Sequence, residues 1–227
     1  MCFVPWPELT DEIKNESTRK YYDVLVQKKW QLRFKRILDI ILAFICLILL
    51  SPVMLILAVL IKLDSGPVMF RQIRITQYMR EFKICKFRTM VPNAEILGTQ
   101  VTSQNDMRIT KIGKVLRRYR LDEIPQLFNI ICGDMTFVGT RPEVPKYVRH
   151  YTGEMLATLL LPAGVTSEAS IVYKDEEQLL TGANDTESVY INKVLPQKMK
   201  YNLEAIEKFS ILYDMKVIIR TVTAMVK

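Results

Sequence analysis

The chain has a single histidine, His150, in 227 residues, which leaves it without the partners for a histidine-based triad or a histidine-rich metal site. His150 reads as a surface residue. The four cysteines, Cys2, Cys46, Cys85 and Cys132, are scattered with no CxxC spacing. Neither a disulfide framework nor a zinc site is therefore expected, and reduced thiols suit a cytoplasmic setting. The sequence also holds no Walker-type phosphate loop, no internal repeat and no low-complexity tract.

What it does have is basic charge. Thirty-two Lys and Arg against 24 Asp and Glu give a net charge of +8, so the surface attracts anions: nucleic acid, lipid headgroups or phosphorylated small molecules. No nucleic-acid reader motif accompanies that charge, and no nucleic-acid partner is expected. The length suits one sizeable domain with a small appendage.

The longest apolar run, residues 40–61, reads IILAFICLILLSPVMLILAVLI and is long enough for a membrane span. Both flanks are basic: Lys28, Lys29, Arg33, Lys35 and Arg36 precede it, and Lys62, Arg71, Arg74, Arg80, Lys83 and Lys86 follow. The positive-inside bias keeps both ends in the cytoplasm. Ser51-Pro52 falls at the middle, where proline removes a backbone donor and crowds the carbonyl of Ile48. Ser51 can bond a freed carbonyl. Each half of the run reaches only about halfway through a ~30 Å hydrocarbon core. The expectation is a helix-break-helix hairpin over residues 31–63 that enters and leaves the same face; a kinked complete span is the alternative.

Residues 1–30 read as an N-terminal appendage with no visible chemistry, and residues 64–227 as the catalytic domain. GPVMFRQIRI and EFKICKFRTM alternate apolar and polar residues and predict a hairpin, with Phe82, Ile84 and Lys86 on one side. From Arg108 to Tyr119, Ile109, Ile112, Leu116 and Tyr119 recur at helical spacing beside a basic side. A turn at Pro162-Ala163-Gly164 leads into a strand, and a long, mostly apolar helix follows Pro196, its charges placing it in the interface or the core. The fold class is α+β and helix-rich: a re-entrant membrane hairpin plus interfacial amphipathic helices around a small cytoplasmic core.

Candidate chemistry centres on Asp122-Glu123, just behind Arg117, Arg118 and Arg120. Asp122 has the position of a helix N-cap ahead of Pro125. Cationic neighbours and the helix end favour its ionised form, keeping it available as a nucleophile or metal ligand. Adjacent carboxylates repel, and oxygen ligands without histidine point to magnesium as the ion that reconciles them. The same arrangement suits a diphosphate.

From about Trp30 to the end, these pieces resemble the bacterial sugar transferases, the small monotopic phosphoglycosyl transferases. The segments that carry the resemblance are KRILDIILAFICLILLSPVMLILAVLIKLDSGPVMFRQIR, KFRTM, DMRITKIGKVLRRYRLDEIPQLFNIICGDMTFVGTRPE and VLPQKMKYNLEAIEKFSILYDMKVIIRTV. The resemblance implies transfer of a sugar 1-phosphate from a UDP-sugar to polyprenol (undecaprenyl) phosphate with release of UMP, the first membrane step of a bacterial glycoconjugate pathway. It implies that Asp122 is the nucleophile forming a covalent phosphosugar intermediate. Glu123 would be its partner in placing Mg2+, and Ser51-Pro52 the break in the membrane helix. Lys86 and Arg88 of the KFR motif, Arg117, and Arg141 in the family's Pro-Arg-Pro loop would bind phosphate or nucleotide. The implied site is the cytoplasmic face of the bacterial inner membrane, among membrane lipids, in the minimal form of the family. A second copy of the chain and downstream glycosyltransferases are the protein partners it allows. Three segments depart from the family pattern: Thr140 replaces the loop's first proline, LPAGVTSEAS replaces the usual Pro-Gly-Ile-Thr-Gly, and RQIRITQY lacks the usual glycine.

Two rivals stand beside this reading. In one, Asp122 acts only as a base in a ternary complex. In the other, the chain is a non-catalytic membrane-surface scaffold that binds anionic lipid or a partner.

Overall fold

The computed structural model describes residues 3–64, 66–94, 106–176 and 185–226. Helix α1 (Glu16–Gln27) starts at a capping box, in which Asn15 and Thr18 each take the other's backbone N–H. Helix α2 (Lys29–Leu63) is the long apolar element. The expected hairpin forms as β1 (Met69–Ile75) and β2 (Glu81–Phe87), paired antiparallel from Met69 opposite Phe87 to Ile75 opposite Glu81. Helix α3 (Lys111–Arg118) is capped by Thr110. Gly113 lets it lie against the KFRTM backbone, where an added Cβ would stand 2.0 Å from the Thr89 carbonyl oxygen.

Next come α4 (Gln126–Cys132), β3 (Met135–Val138), the short α5 (Pro145–Val148), β4 (Ala163–Thr166) and α6 (Glu168–Val172). Strands β3 and β4 pair in parallel. Gly139, just past β3, and Gly164 of β4 cross so closely that a Cβ on Gly164 would meet the Gly139 nitrogen at 2.2 Å. Gly164 N–H donates to the Thr140 carbonyl at 2.8 Å. The loop that holds Thr140 is thus fastened through its main chain, which the proline-to-threonine departure leaves in place.

The single long helix expected after Pro196 is two. A short α7 (Thr186–Val189) and a π-turn lead into α8 (Leu195–Glu207), and α9 (Ile211–Val226) begins anew. Ser210 ends the continuity by accepting Tyr213 N–H on its hydroxyl at 3.1 Å. Cys46, Cys85 and Cys132 are free thiols, and Cys2 lies outside the described residues.

Three apolar clusters make the core. The largest joins Leu9, Ile13, Tyr21, Tyr22 and Leu25 to Tyr147, Leu160, Leu195 and Leu203. The segment set apart in the sequence as an appendage therefore packs, from Phe3 onward, on the main core. The other clusters form along α2. Ala43, with Cys46, Leu47 and Leu50, packs on Phe82, Leu127, Ile130 and Met135. Ile61, with Met54, Leu57 and Ala58, packs on Phe87 and Leu116.

Together with buried Leu32, Lys35 and Asp39, these residues form a stripe at three- and four-residue spacing from one end of α2 to the other. The opposite face, including Ile41, Phe44, Ile48, Leu49, Leu55 and Ile56, is apolar and exposed. By length and composition α2 could cross a bilayer. Its helical residues run unbroken through Ser51 and Pro52, so the expected break is not a loss of helix. Ser51 takes up the Ile48 carbonyl at 2.8 Å, as a serine beside a helical proline can.

Polar contacts fix α2 at both ends. Lys35 pairs with Asp214 of α9, both nearly buried. Asp39 accepts the Thr136 hydroxyl of β3. Arg36 donates to the carbonyls of Ile130 and Ile131 at the end of α4, where a cation complements the helix terminus. Arg88 closes the far end by donating to the carbonyls of Ile61, Asp64 and Pro67.

Candidate active site

The segment before α4 does not begin the helix at Asp122. Tyr119 ends α3, and Arg120 turns the chain through a left-handed conformation with φ 55°. Leu121–Glu123 then forms a single 3-10 turn. Helix α4 starts only at Gln126, with Pro125 in the cap position, so Asp122 is not an N-cap. A non-glycine residue in that region costs on the order of 1 kcal/mol and persists only where the surroundings demand it. Here they do: Leu121 packs into the Ile61–Phe87–Leu116 cluster, and Ile124 into the cluster around Ala43. The acid pair is thereby bracketed by the two clusters to which the two halves of α2 contribute.

Strand β2 supplies the first cation. Phe82 and Ile84 face the core, and two residues on, the same side presents Lys86. Its Nζ lies 2.9 Å from Glu123 Oε1. Asn129 of α4 staples β2 in place, accepting Cys85 N–H at 2.8 Å and donating to the Lys83 carbonyl at 3.0 Å. The loop after β3 supplies the second cation, Arg141, whose guanidinium pairs with both Glu123 oxygens.

The two acids differ in partners and so in charge. Burial pushes the Glu123 carboxyl up, but Arg141 and Lys86 outweigh it and hold the group well below the usual carboxylate range. Asp122 is 8% exposed and accepts no hydrogen bond among the described residues. Its pKa is raised, chiefly by burial and further by Glu123, against the opposing pull of Lys86, Arg117 and Arg141. The expectation that cations and a helix end simply favour the ionised form is corrected accordingly: desolvation wins, and there is no helix end at this residue. Nor are the two carboxylates left to repel each other undiluted, because Lys86 and Arg141 neutralise Glu123.

Of the sequence-expected residues, Lys86, Arg141, Asp122 and Glu123 converge, and Arg117 lies within the field of Asp122. Arg88 does not pair with them: its Nε and Nη2 donate to the carbonyls of Pro67, Ile61 and Asp64 around the end of α2, and its buried Nη1 has no acceptor among the described residues. His150 is exposed, as expected. Arg120, named in the sequence among the cations ahead of the acid pair, lowers the pKa of Glu123; its left-handed turn and the pair Arg74–Glu143 behind Arg141 escaped the sequence reading. A left-handed arginine and a contact across about seventy residues leave no local signal.

Lys86, Arg117, Arg120 and Arg141 around two carboxylates leave an excess of positive charge, the complement of a diphosphate. No cluster of three or more acid, histidine or cysteine ligands occurs among the described residues. Asp122 and Glu123 are the adjacent carboxylates that could hold a divalent ion here, Asp122 with open oxygens and Glu123 with both of its oxygens engaged by Lys86 and Arg141.

Comparisons with known proteins agree on one family. The family model for bacterial sugar transferases matches residues 30–227. The UDP-N-acetylgalactosamine-undecaprenyl-phosphate N-acetylgalactosaminephosphotransferase of Aeromonas hydrophila is 38% identical over 192 residues, covering 83% of this chain and 42% of that protein. The UDP-glucose:undecaprenyl-phosphate glucose-1-phosphate transferase of Escherichia coli K12 is 38% identical over 194 residues, 83% of this chain and 39% of that one. The protein of the same description from Caulobacter vibrioides is 31% identical over 195 residues, 84% of this chain and 69% of its own. The chain thus spans about two fifths of the length of the first two relatives.

Proposed function

The chain belongs to the bacterial sugar transferase family, and from that premise we propose that it moves a sugar 1-phosphate from a UDP-sugar to polyprenol phosphate through a covalent intermediate on Asp122. The observation that carries this reading is the contrast within the acid pair: Glu123 is engaged by two cations, while Asp122 is buried and has no hydrogen-bond partner among the described residues. A poorly solvated, unpaired carboxylate is a strong nucleophile once ionised.

In the first step an Asp122 oxygen attacks the sugar-linked phosphorus, the bond to the bridging oxygen breaks, and UMP leaves with that electron pair. In the second, an oxygen of polyprenol phosphate attacks the same phosphorus and Asp122 leaves as carboxylate. Lys86, Arg117, Arg120 and Arg141 offset the charge that gathers on the phosphoryl oxygens. Asp122 and Glu123 are the residues that would hold magnesium, which would supply further charge neutralisation at the diphosphate.

That Leu121 and Ile124, on either side of the acid pair, pack into clusters shared with α2 supports delivery of a lipid acceptor. One face of α2 is covered along its whole length by the same domain, which supports a helix that dips into the cytoplasmic leaflet of the bacterial inner membrane and returns, bending at Pro52. The activity is tested by UMP release from purified protein in nanodiscs with magnesium, polyprenol phosphate and a panel of UDP-sugars, beside Asp122→Asn. A phosphosugar adduct on the protein without acceptor is the expected result. Turnover with no adduct, and with activity kept in Asp122→Asn, would instead favour the ternary-complex rival. No release from a broad panel by folded, membrane-bound protein would favour the scaffold.

A further inference from the structure

Resting on that reading, we propose that Glu143 is a positioning residue for the donor site, holding Arg141 in line with the acid pair by standing as counter-charge between Arg74 and Lys198. Glu143 follows Arg141 by two residues, with Pro142, which has no N–H to anchor it, between them. What fastens this segment comes from outside it. Ile75 N–H of β1 donates to the Glu143 carbonyl at 2.9 Å. Arg74 Nη1 donates to the Pro142 carbonyl at 3.2 Å and lies 3.9 Å from Glu143 Oε2.

From the other side, Lys198 of α8 brings its Nζ to 3.7 Å from Glu143 Oε1 and to 2.9 Å from Glu176. The Tyr190 hydroxyl donates to Glu143, with Lys198 3.3 Å from that same oxygen. Glu143 and Lys198 are 6% and 5% exposed, so these charges meet little water.

Arg74 is the reason the carboxylate matters to catalysis and not to packing alone. Its Nε is buried without an acceptor, leaving Pro142 O, Gln72 and Glu143 as the groups that hold it. Arg74 and Arg141 repel each other, whereas Glu143 attracts both. Loss of the Glu143 charge would leave Arg74 a buried cation behind Arg141, with Lys198 turned to Glu176 alone. That would loosen the Arg74 hold on Pro142 and displace the Arg141 guanidinium. A shift of about an ångström in a phosphate-binding group is enough to cost ten- to a hundredfold.

The test uses the full chain in nanodiscs and reads KM for the UDP-sugar, kcat, and UDP affinity by calorimetry, with thermal unfolding as the folding control. Glu143→Gln is expected to raise KM and the UDP Kd about tenfold while kcat changes by less than about threefold. Glu143→Asp is expected to recover part of the loss. Combined with Arg141→Gln it is expected to add little, because both remove one interaction. Where Glu143→Gln does not fold, Glu143→Gln with Lys198→Met removes a balanced pair of charges and is expected to show the same rise in Kd. Unchanged KM and Kd in a folded variant, or a loss fully additive with Arg141→Gln, overturns the inference. Wild-type protein that binds UDP without turnover counts against the proposed activity alone, and wild-type protein that does not bind UDP overturns both.

Discussion

Lys86 and Glu123 stand 2.9 Å apart, one on the hairpin and the other in the turn before α4, thirty-seven residues later in the chain. Arg141 reaches the same carboxylate from the loop after β3. Three separate segments therefore meet on Glu123, and Asp122 is left beside them with no such partner. The contrast within the pair follows from this meeting: one acid gathers the cations, and the other has no hydrogen-bond partner among the described residues.

Replacing Asp122 should separate activity from stability. Asp122→Asn is expected to abolish UMP release while leaving the unfolding midpoint no lower than that of the wild type, since burying a carboxylate without a partner costs stability that a neutral amide does not. Thermal unfolding in detergent beside the UMP assay checks both halves. Substantial turnover in folded Asp122→Asn would sink the nucleophile assignment.

The pH profile carries the sign of the Asp122 shift. Burial raises its pKa, so the ionised carboxylate that the proposed mechanism needs is lost as pH falls through a value above the usual aspartate range. The acid limb of kcat/KM is expected there. Lys86 opposes the rise, so Lys86→Met should move that limb to still higher pH as well as lower the plateau. A limb that stays in place would detach Lys86 from Asp122.

Glu123→Gln should do what Asp122→Asn does not. It leaves Lys86 and Arg141 facing each other in a buried site, a change expected to cost about 3 kcal/mol. Denaturant unfolding of the purified variant measures it, and a variant as stable as the wild type would contradict the paired arrangement.

Lys35 tests how α2 is tied down. Its pairing with Asp214 is buried, and Asp39 lies one turn further along the helix. Lys35→Met is expected to destabilise by about 3 kcal/mol because it strands a buried carboxylate, whereas Lys35→Met with Asp214→Asn should recover most of that loss. Simple additivity of the two changes would argue against the pair.

The direction of α2 in the membrane is open to accessibility mapping. Single cysteines placed at Lys28 and at Asp64, in a background without the other cysteines, should both be labelled from the cytoplasmic side by an impermeant maleimide. Labelling of the two from opposite sides would establish a complete span.

The sequence alone determined a good deal here, and for local reasons. Alternation marked the β1–β2 hairpin and put Lys86 on the side of Phe82 and Ile84, because strand side chains alternate whatever the rest of the chain does. The apolar run with its basic flanks marked α2, and the acid pair behind its arginines stood out by charge density.

What only the tertiary structure decided was the meeting of distant groups. Asp122 looked like a helix cap, because a carboxylate ahead of proline commonly is one. Packing of Leu121 and Ile124 into two clusters along α2 instead drew the chain into a 3-10 turn and delayed the helix to Gln126. Arg88 has its place in a motif, yet only the tertiary structure shows its Nη2 on the carbonyls of Ile61 and Asp64 at the end of α2. The charge state of each acid depended on which cations arrived from elsewhere and how much water they displaced. Burial and pairing across tens of residues set those quantities, and neither has a period or a spacing that a linear sequence displays.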